Sequence, residues 1–354
     1  MKRNSLLCAI LVIAMISLII LAGCSDAKMA NSNAAALGGD DPAAEGGSEE
    51  FEDLEGEAAE DTAEPSAQAP EAEDTPLSES SWSIVLDTEI SHPTNMAGFL
   101  NESFVITVGP YGEIHYSVDG GQTWPEGENE SMCRFSLDIV DENIAWCGGA
   151  GNNVRSSVDG GKTWRALEDV DLGGGHANID FIDDTTGWLA AQKKLVATND
   201  AGESWSELAL PEGAKSIAAI CLRTANDGYL LTHDGLFCKT ADGGAAWSSQ
   251  DLEMANYEIV DTKQKPGLDK NNIALADISF SDENNGIIIF SGVSPGKGFK
   301  TWCLRTGDGG ASWTSEQLPL PEGFSATRVF TSGDCNYITV GSHSQRFILL
   351  KSKE

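Results

Sequence analysis

Beyond residue 80 the apolar residues come in short runs rich in Val, Ile and aromatic side chains. Each run is bounded by Asp, Asn or Gly. That is the pattern of strands separated by tight turns. One version recurs six times, as a polar turn opening onto an apolar run. The copies begin Asn101-Glu-Ser-Phe, Asp141-Glu-Asn-Ile, Asp183-Asp-Thr-Thr-Gly, Ala225-Asn-Asp-Gly, Asp282-Glu-Asn-Asn-Gly and Gly333-Asp-Cys-Asn-Tyr. No long stretch carries the 3.6-residue period of an amphipathic helix, so the pattern predicts an all-β domain.

A second repeat is interleaved with the first. It reads Ser117-Val-Asp-Gly-Gly-Gln-Thr-Trp124 and Ser157-Val-Asp-Gly-Gly-Lys-Thr-Trp164. It returns at Thr198–Trp205, Thr240–Trp247 and Thr306–Trp313. Its aspartates, Asp119, Asp159, Asp200, Asp242 and Asp308, are 40, 41, 42 and 66 residues apart. A period near 40 with strand character predicts propeller blades of four strands. Asp in a tight turn accepts backbone N–H groups. Gly supplies turn dihedrals, and Trp124, Trp164, Trp205, Trp247 and Trp313 bring large apolar areas to bury. These ten residues read as structural. Six turn-and-strand units against five boxes leave one blade incomplete. The last unit offers three strands, and Ser81-Trp82 before Ile84-Val85-Leu86 matches the end of a box. The expectation is a six-bladed β-propeller (seven the alternative) whose N-terminal strand closes the last blade and removes its exposed edge.

The pattern S/T-x-D-G-G-x-T/S-W resembles the Asp-box, or bacterial neuraminidase repeat, with Ala201 and Ala246 as the departures. Together with Thr186-Gly-Trp-Leu-Ala it is similar to the photosystem II stability and assembly factor family. That resemblance implies a binding or assembly propeller over roughly 82–350, with no catalytic residues to carry over. Sialidases resemble the chain in the boxes only. The arginine they carry before the first box has no counterpart, because no Arg lies between Arg3 and Arg134. A carbohydrate-active enzyme using a carboxylate pair stays open as the alternative.

The N-terminus is of another kind. Lys2 and Arg3 precede an apolar run from Leu6 to Leu21 that ends Leu21-Ala-Gly-Cys24. This has the layout of an export signal. Its ending resembles the bacterial lipobox, which implies lipidation of Cys24 and an outward-facing place on a bacterial cell membrane; an ordinary signal peptide is the alternative. Residues 25–80 carry 17 acidic residues against one basic, Lys28. Such a segment buries too little to order itself. The domains expected are 1–23 signal peptide, 24–80 lipidated Cys and acidic tether, and 81–354 propeller.

The full chain has 354 residues and a net charge of −33. That balance argues against nucleic-acid binding, which needs a basic footprint. The membrane is expected to be met through the lipid alone. Against this charge, the long interval between Asp242 and Asp308 stands out. The link 251–272 and the second turn 291–300 carry Tyr257, Lys263, Lys265, Lys270, Lys297, Phe299 and Lys300. Both segments fall on the face opposite the boxes, which makes them the candidate binding face for a protein or glycan partner. His92, His176, His233 and His343 map to the same face but come from different blades without ligand spacing. No metal or cofactor is expected, and the chain is expected to act as a monomer. Of the domain cysteines, Cys221 and Cys238 are expected opposite Leu230 from either side, too far apart for a disulfide. Cys303 is expected at the start of a third strand and Cys335 in a first turn, so mainly free thiols follow.

The tether reading has a direct check. A chain beginning at Ser80 is expected to melt at the same temperature as one beginning at Ser25. One beginning near Thr88 lacks the closing strand and should melt well below both.

Overall fold

The computed structural model describes residues 80–92, 94, 96–109, 112–125, 128–129, 134–149, 153–167, 170–173, 178–191, 193–253, 275–294, 298–321, 323–332, 334–342 and 345–353. The signal and tether lie outside the described residues. So do Cys133, His176, His343 and the link 254–274 with its Tyr257, Lys263, Lys265 and Lys270. Among the described residues no helix is long and apolar enough to cross a membrane.

Among the described residues, twenty-four strands form six four-stranded antiparallel sheets, the blades of a propeller. Each blade runs from an inner strand at the axis to an outer strand at the rim. Blade one holds β2 (Met96–Phe99), β3 (Val105–Val108), β4 (Glu113–Ser117) and β5 (Glu128–Asn129). Blade two holds β6 (Arg134–Ile139), β7 (Ala145–Gly149), β8 (Val154–Ser157) and β9 (Arg165–Ala166). Blade three holds β10 (Asn178–Phe181), β11 (Gly187–Ala191), β12 (Lys194–Thr198) and β13 (Ser206–Leu208). Blade four holds β14 (Ile217–Leu222), β15 (Gly228–Thr232), β16 (Leu236–Thr240) and β17 (Ser248–Asp251). Blade five holds β18 (Leu275–Phe280), β19 (Gly286–Ser294), β20 (Gly298–Thr306) and β21 (Thr314–Leu318). Blade six takes β22 (Phe324–Ser332), β23 (Cys335–Ser342) and β24 (Arg346–Ser352) from the C-terminus and β1 (Trp82–Glu89) from the N-terminal end of the domain.

That last pairing closes the ring. β1 lies antiparallel to β24 from Trp82↔Ser352 to Glu89↔Arg346, with a bulge between Ile84 and Leu86. Trp82 is fully buried between blades five and six, against Ile287, Ile289, Cys303, Val329 and Ile338. Trp164 occupies the corresponding place between blades one and two, against Phe104, Ile106 and Cys147. Closure is thus made by a ladder at the rim and an aromatic wedge between sheets.

Each box is a self-contained turn after the third strand. Asp119 Oδ1 accepts the Ser117 hydroxyl and the N–H groups of Gln122 and Thr123, and Oδ2 accepts the Thr123 hydroxyl. The same set recurs at Asp159 with Ser157, Lys162 and Thr163. The box also reaches back to the first turn of its own blade. Gly120 N–H donates to Ser103 O, Gly160 to Asn143 O, Ala201 to Thr185 O, Gly243 to Asn226 O and Gly309 to Asn284 O. First and third turns therefore share one face, the box face, and second turns and links share the other, the link face. A Cβ on Gly120, at φ +71°, would stand 2.8 Å from Glu102 O. Ala201 carries its methyl at φ 60° in the third box, a conformation that disfavours side chains by about 1–2 kcal/mol.

Two expectations about register are corrected. Cys221 faces Tyr229, not Leu230, because the β14–β15 turn spans Arg223–Asp227 and shifts the pairing by one. A one-residue shift turns a side chain to the other face of a sheet. Cys221 accordingly packs between blades four and five, and Cys238, which does face Leu230, packs between three and four. Cys303 sits in mid-strand, between Ile289 and Glu316, because β20 starts five residues earlier, at Gly298. Cys221, Cys238, Cys303 and Cys335 are free thiols, and Cys147 is a buried thiol.

The boxes make a stability prediction. Trp164→Ala should cost about 3–5 kcal/mol, and Asp159→Ala about 1–3 kcal/mol by orphaning turn donors. The carboxyls of Asp119 and Asp308 are pushed down to about 2, chiefly by the hydroxyls of Thr123 and Ser312. Their contribution is complete above the ordinary carboxylate range near about 4 and is lost as pH falls towards 2. Denaturant midpoints of the two variants and of the parent between pH 2 and 6 check all three statements.

Candidate functional site

The residues singled out from the sequence divide between the two faces. The box carboxylates are committed to their own turns. Of the link-face cluster, only Lys300 has a described side chain; its Nζ donates to Gln317 Oε1 at 3.3 Å. The backbone nevertheless corrects one expectation there. The segment 291–300 was expected to be a turn, yet the β19–β20 ladder runs on through Gly292↔Lys300, Val293↔Phe299 and Ser294↔Gly298. The outer strand stops short of this, because Thr301 pairs with Leu318 at the end of β21. The β19–β20 hairpin therefore projects about 10 Å beyond β21 on the link face. Lys297 lies outside the described residues.

His92, in the link from β1 to β2, is absorbed in packing. Its ring centroid lies 3.8 Å from that of His115 with the planes tilted by 33°, and the ring meets Trp124 edge-on at 4.9 Å and hydrogen-bonds the Thr107 hydroxyl at 2.7 Å. Burial, and then His115, push its pKa down to about 4.

The most concentrated chemistry lies on the ring axis. The inner strands surround a cavity of about 480 Å³. Arg328, on β22, reaches across the axis. Its Nη1 donates to Leu137 O and its Nη2 lies 3.1 Å from Asp138 Oδ1, both on β6, while its Nε lies 3.8 Å from Asp277 Oδ2 on β18. The carboxylates in turn hold neighbouring strands. Asp138 Oδ2 accepts Phe181 N–H at 2.8 Å, and Asp277 Oδ2 accepts Val329 N–H at 2.8 Å. Asp180 accepts Leu222 N–H, and Phe280 N–H points at the Cys221 thiol. One acceptor per step thus links blades two to three, three to four, four to five and five to six. Blade one contributes Gly98 at the position of Asp138, because Gly98 pairs with Ile106 as Asp138 pairs with Trp146. A Cβ there would meet Leu137 Cδ2 at 2.7 Å.

Burial sets the charge states. Asp277 is raised to about 6 by burial, with Arg328 opposing. Asp180 is raised well above the carboxylate range by burial and by the charges of Asp138 and Asp277. The sequence pattern does not single out this cluster. A signal was present: each carboxylate sits between apolar neighbours, in Leu137-Asp-Ile139, Ile179-Asp-Phe181 and Ala276-Asp-Ile278, just before a polar turn.

A raised carboxyl destabilises the fold as pH climbs from the unfolded value towards the folded one. Asp180→Asn should therefore raise the melting temperature at pH 8 and leave it level or lower at pH 4. Thermal melts at the two pH values check the sign.

A structure described as YCF48 bound to D1 peptide is 14% identical, covering 78% of this chain and 96% of that one with a TM-score of 0.49. YCF48 from Cyanidioschyzon merolae is 16% identical, covering 75% and 98% with a TM-score of 0.45. A streptogramin B lyase structure is 11% identical, covering 77% and 98% with a TM-score of 0.48. No curated protein matches. Residues 168–256 match the model of the photosynthesis system II assembly factor YCF48 family, and the chain is a six-bladed β-propeller that resembles that family.

Proposed function

We propose that this chain is a lipid-anchored, outward-facing binding module, non-catalytic and monomeric, that receives a protein partner on the link face around blade five. The observation that carries this reading is the projecting β19–β20 hairpin. A ladder extended past its sheet presents residues clear of a rigid ring, where recognition elements are placed to advantage. The sequence around it concentrates Lys263, Lys265, Lys270, Lys297 and Lys300 in a strongly acidic chain, which favours a partner with an anionic surface. The match of residues 168–256 to an assembly-factor family is in keeping with this role. The anchor rests on the Leu21-Ala-Gly-Cys24 ending, and two acyl chains suffice for stable membrane attachment.

A second reading, a glycoside-hydrolase-like enzyme, draws on the axial cavity, where the buried carboxyls of Asp180 and Asp277 are both raised above the ordinary range. Against it, the same carboxyls are engaged by backbone N–H groups and Arg328.

The test compares two charge-reversed chains in envelope cross-linking. Lys263, Lys265 and Lys297 are changed to Glu in one, and Lys162, Arg165 and Lys353 on the box face in the other. The first set should abolish the cross-linked partner and the second should leave it. Equal or greater loss from the box-face set overturns the docking face. Hydrolysis of chromogenic glycosides by the parent, lost in Asp180→Asn, would favour the second reading.

A further inference from the structure

We infer that the axial cavity is a binding site for a cationic nitrogen group, an aliphatic ammonium or a guanidinium. This is independent of docking on the link face.

The charge inventory points this way first. Three carboxyl side chains, Asp138, Asp180 and Asp277, line the cavity with one guanidinium, Arg328, engaged by two of them. The other arginine of the wall, Arg223, is committed at the rim, with Nη2 2.7 Å from Asp227 Oδ2. The wall therefore carries more acceptors than its own cations use.

Ser136 is the second, independent observation. It is only 9% exposed, and its Oγ is buried with no hydrogen-bond partner. It lies two residues before Asp138 on β6, hence on the same side of that strand, and it lines the same cavity. Buried hydroxyls are nearly always paired, so an orphan one calls for an explanation. A ligand N–H donating to it supplies one.

The approach matches the site. The wall extends to Val140, Ile182 and Ser281, the residues next to the first turns. Those turns stand on the box face and carry Asp141, Glu142, Asp183, Asp184, Asp282 and Glu283. An acidic collar around a recess raises the local concentration of cations. The carboxyls are held apart by N–H groups of successive strands, and among the described residues no three His, Cys, Asp or Glu side chains converge to hold a metal ion. A cation that brings several N–H donors of its own suits such dispersed acceptors. An ammonium has three and a guanidinium five.

Binding should also move a proton. The groups facing Asp180 are Asp138 on β6, Cys221 on β14, Asp277 on β18 and Arg328 on β22, and Met96 is the wall residue of β2. Burial among these groups pushes its carboxyl well above the ordinary carboxylate range. A cation beside it favours the ionised form, so the proton leaves to solvent as the ligand enters.

Calorimetry on the full chain tests this with four probes: putrescine, acetyl-Gly-Lys-Gly-amide, acetyl-Gly-Arg-Gly-amide and the norleucine analogue of the lysyl peptide. Runs in two buffers of different ionisation heat at pH 7 report proton release. At least one cationic probe should bind with proton release, and the norleucine peptide should not bind. Asp180→Asn, which mimics the protonated carboxyl and should keep the fold, should weaken binding at least tenfold and abolish the proton release. Ser136→Ala should weaken it several-fold. Binding of putrescine alone assigns the site to a free amine, and binding of a lysyl or arginyl peptide assigns it to a side chain on a partner protein. Absence of binding by all three cationic probes, or equal affinity in Asp180→Asn, overturns the inference.

Discussion

The axial polar network is the constraint on which the ring depends. Inner strands of neighbouring blades splay apart and form no ladder with one another, so backbone donors at the axis need side-chain acceptors. Asp138, Asp180, Cys221 and Asp277 supply them in succession, and Arg328 crosses from blade six to blade two. Removing one partner of such a buried set leaves an uncompensated charge, which costs more than the pair contributes.

Around that axis the same solution is repeated at each blade interface. The apolar faces of two sheets meet, and a tryptophan is driven between them. Trp82 and Trp164 show the equivalence, though one opens β1 and the other ends a box. The boxes hold the rim in register with the first turns through one backbone bond in each of the five blades that carry a box. Their carboxylates are spent on this local work. That separates the box face, ordered by turn chemistry, from the link face, where blade five departs from the repeat and its hairpin projects.

The two proposed surfaces also differ in charge. The first turns gather acidic residues around the cavity, while the docking surface proposed around blade five draws on the basic residues of the repeat-breaking insertion. On that proposal the ring engages two chemically different partners without either competing for the other's surface.

Blade number, strand order and closure by the N-terminal strand were legible in the sequence because each is a local pattern multiplied. The 40-residue period, the box and the unmatched Ser81-Trp82 needed no knowledge of what packs on what. Register was less legible. Cys221 and Cys303 moved relative to expectation because a turn of five residues in one blade and a longer ladder in another are settled by hydrogen bonds that residue types do not display. The axial cluster was decided by tertiary structure alone. Asp138, Asp180, Asp277 and Arg328 span 190 residues of chain, and each by itself reads as one polar residue in a strand. Only ring closure brings four inner strands to one axis, and only there does burial turn isolated carboxylates into a shared network.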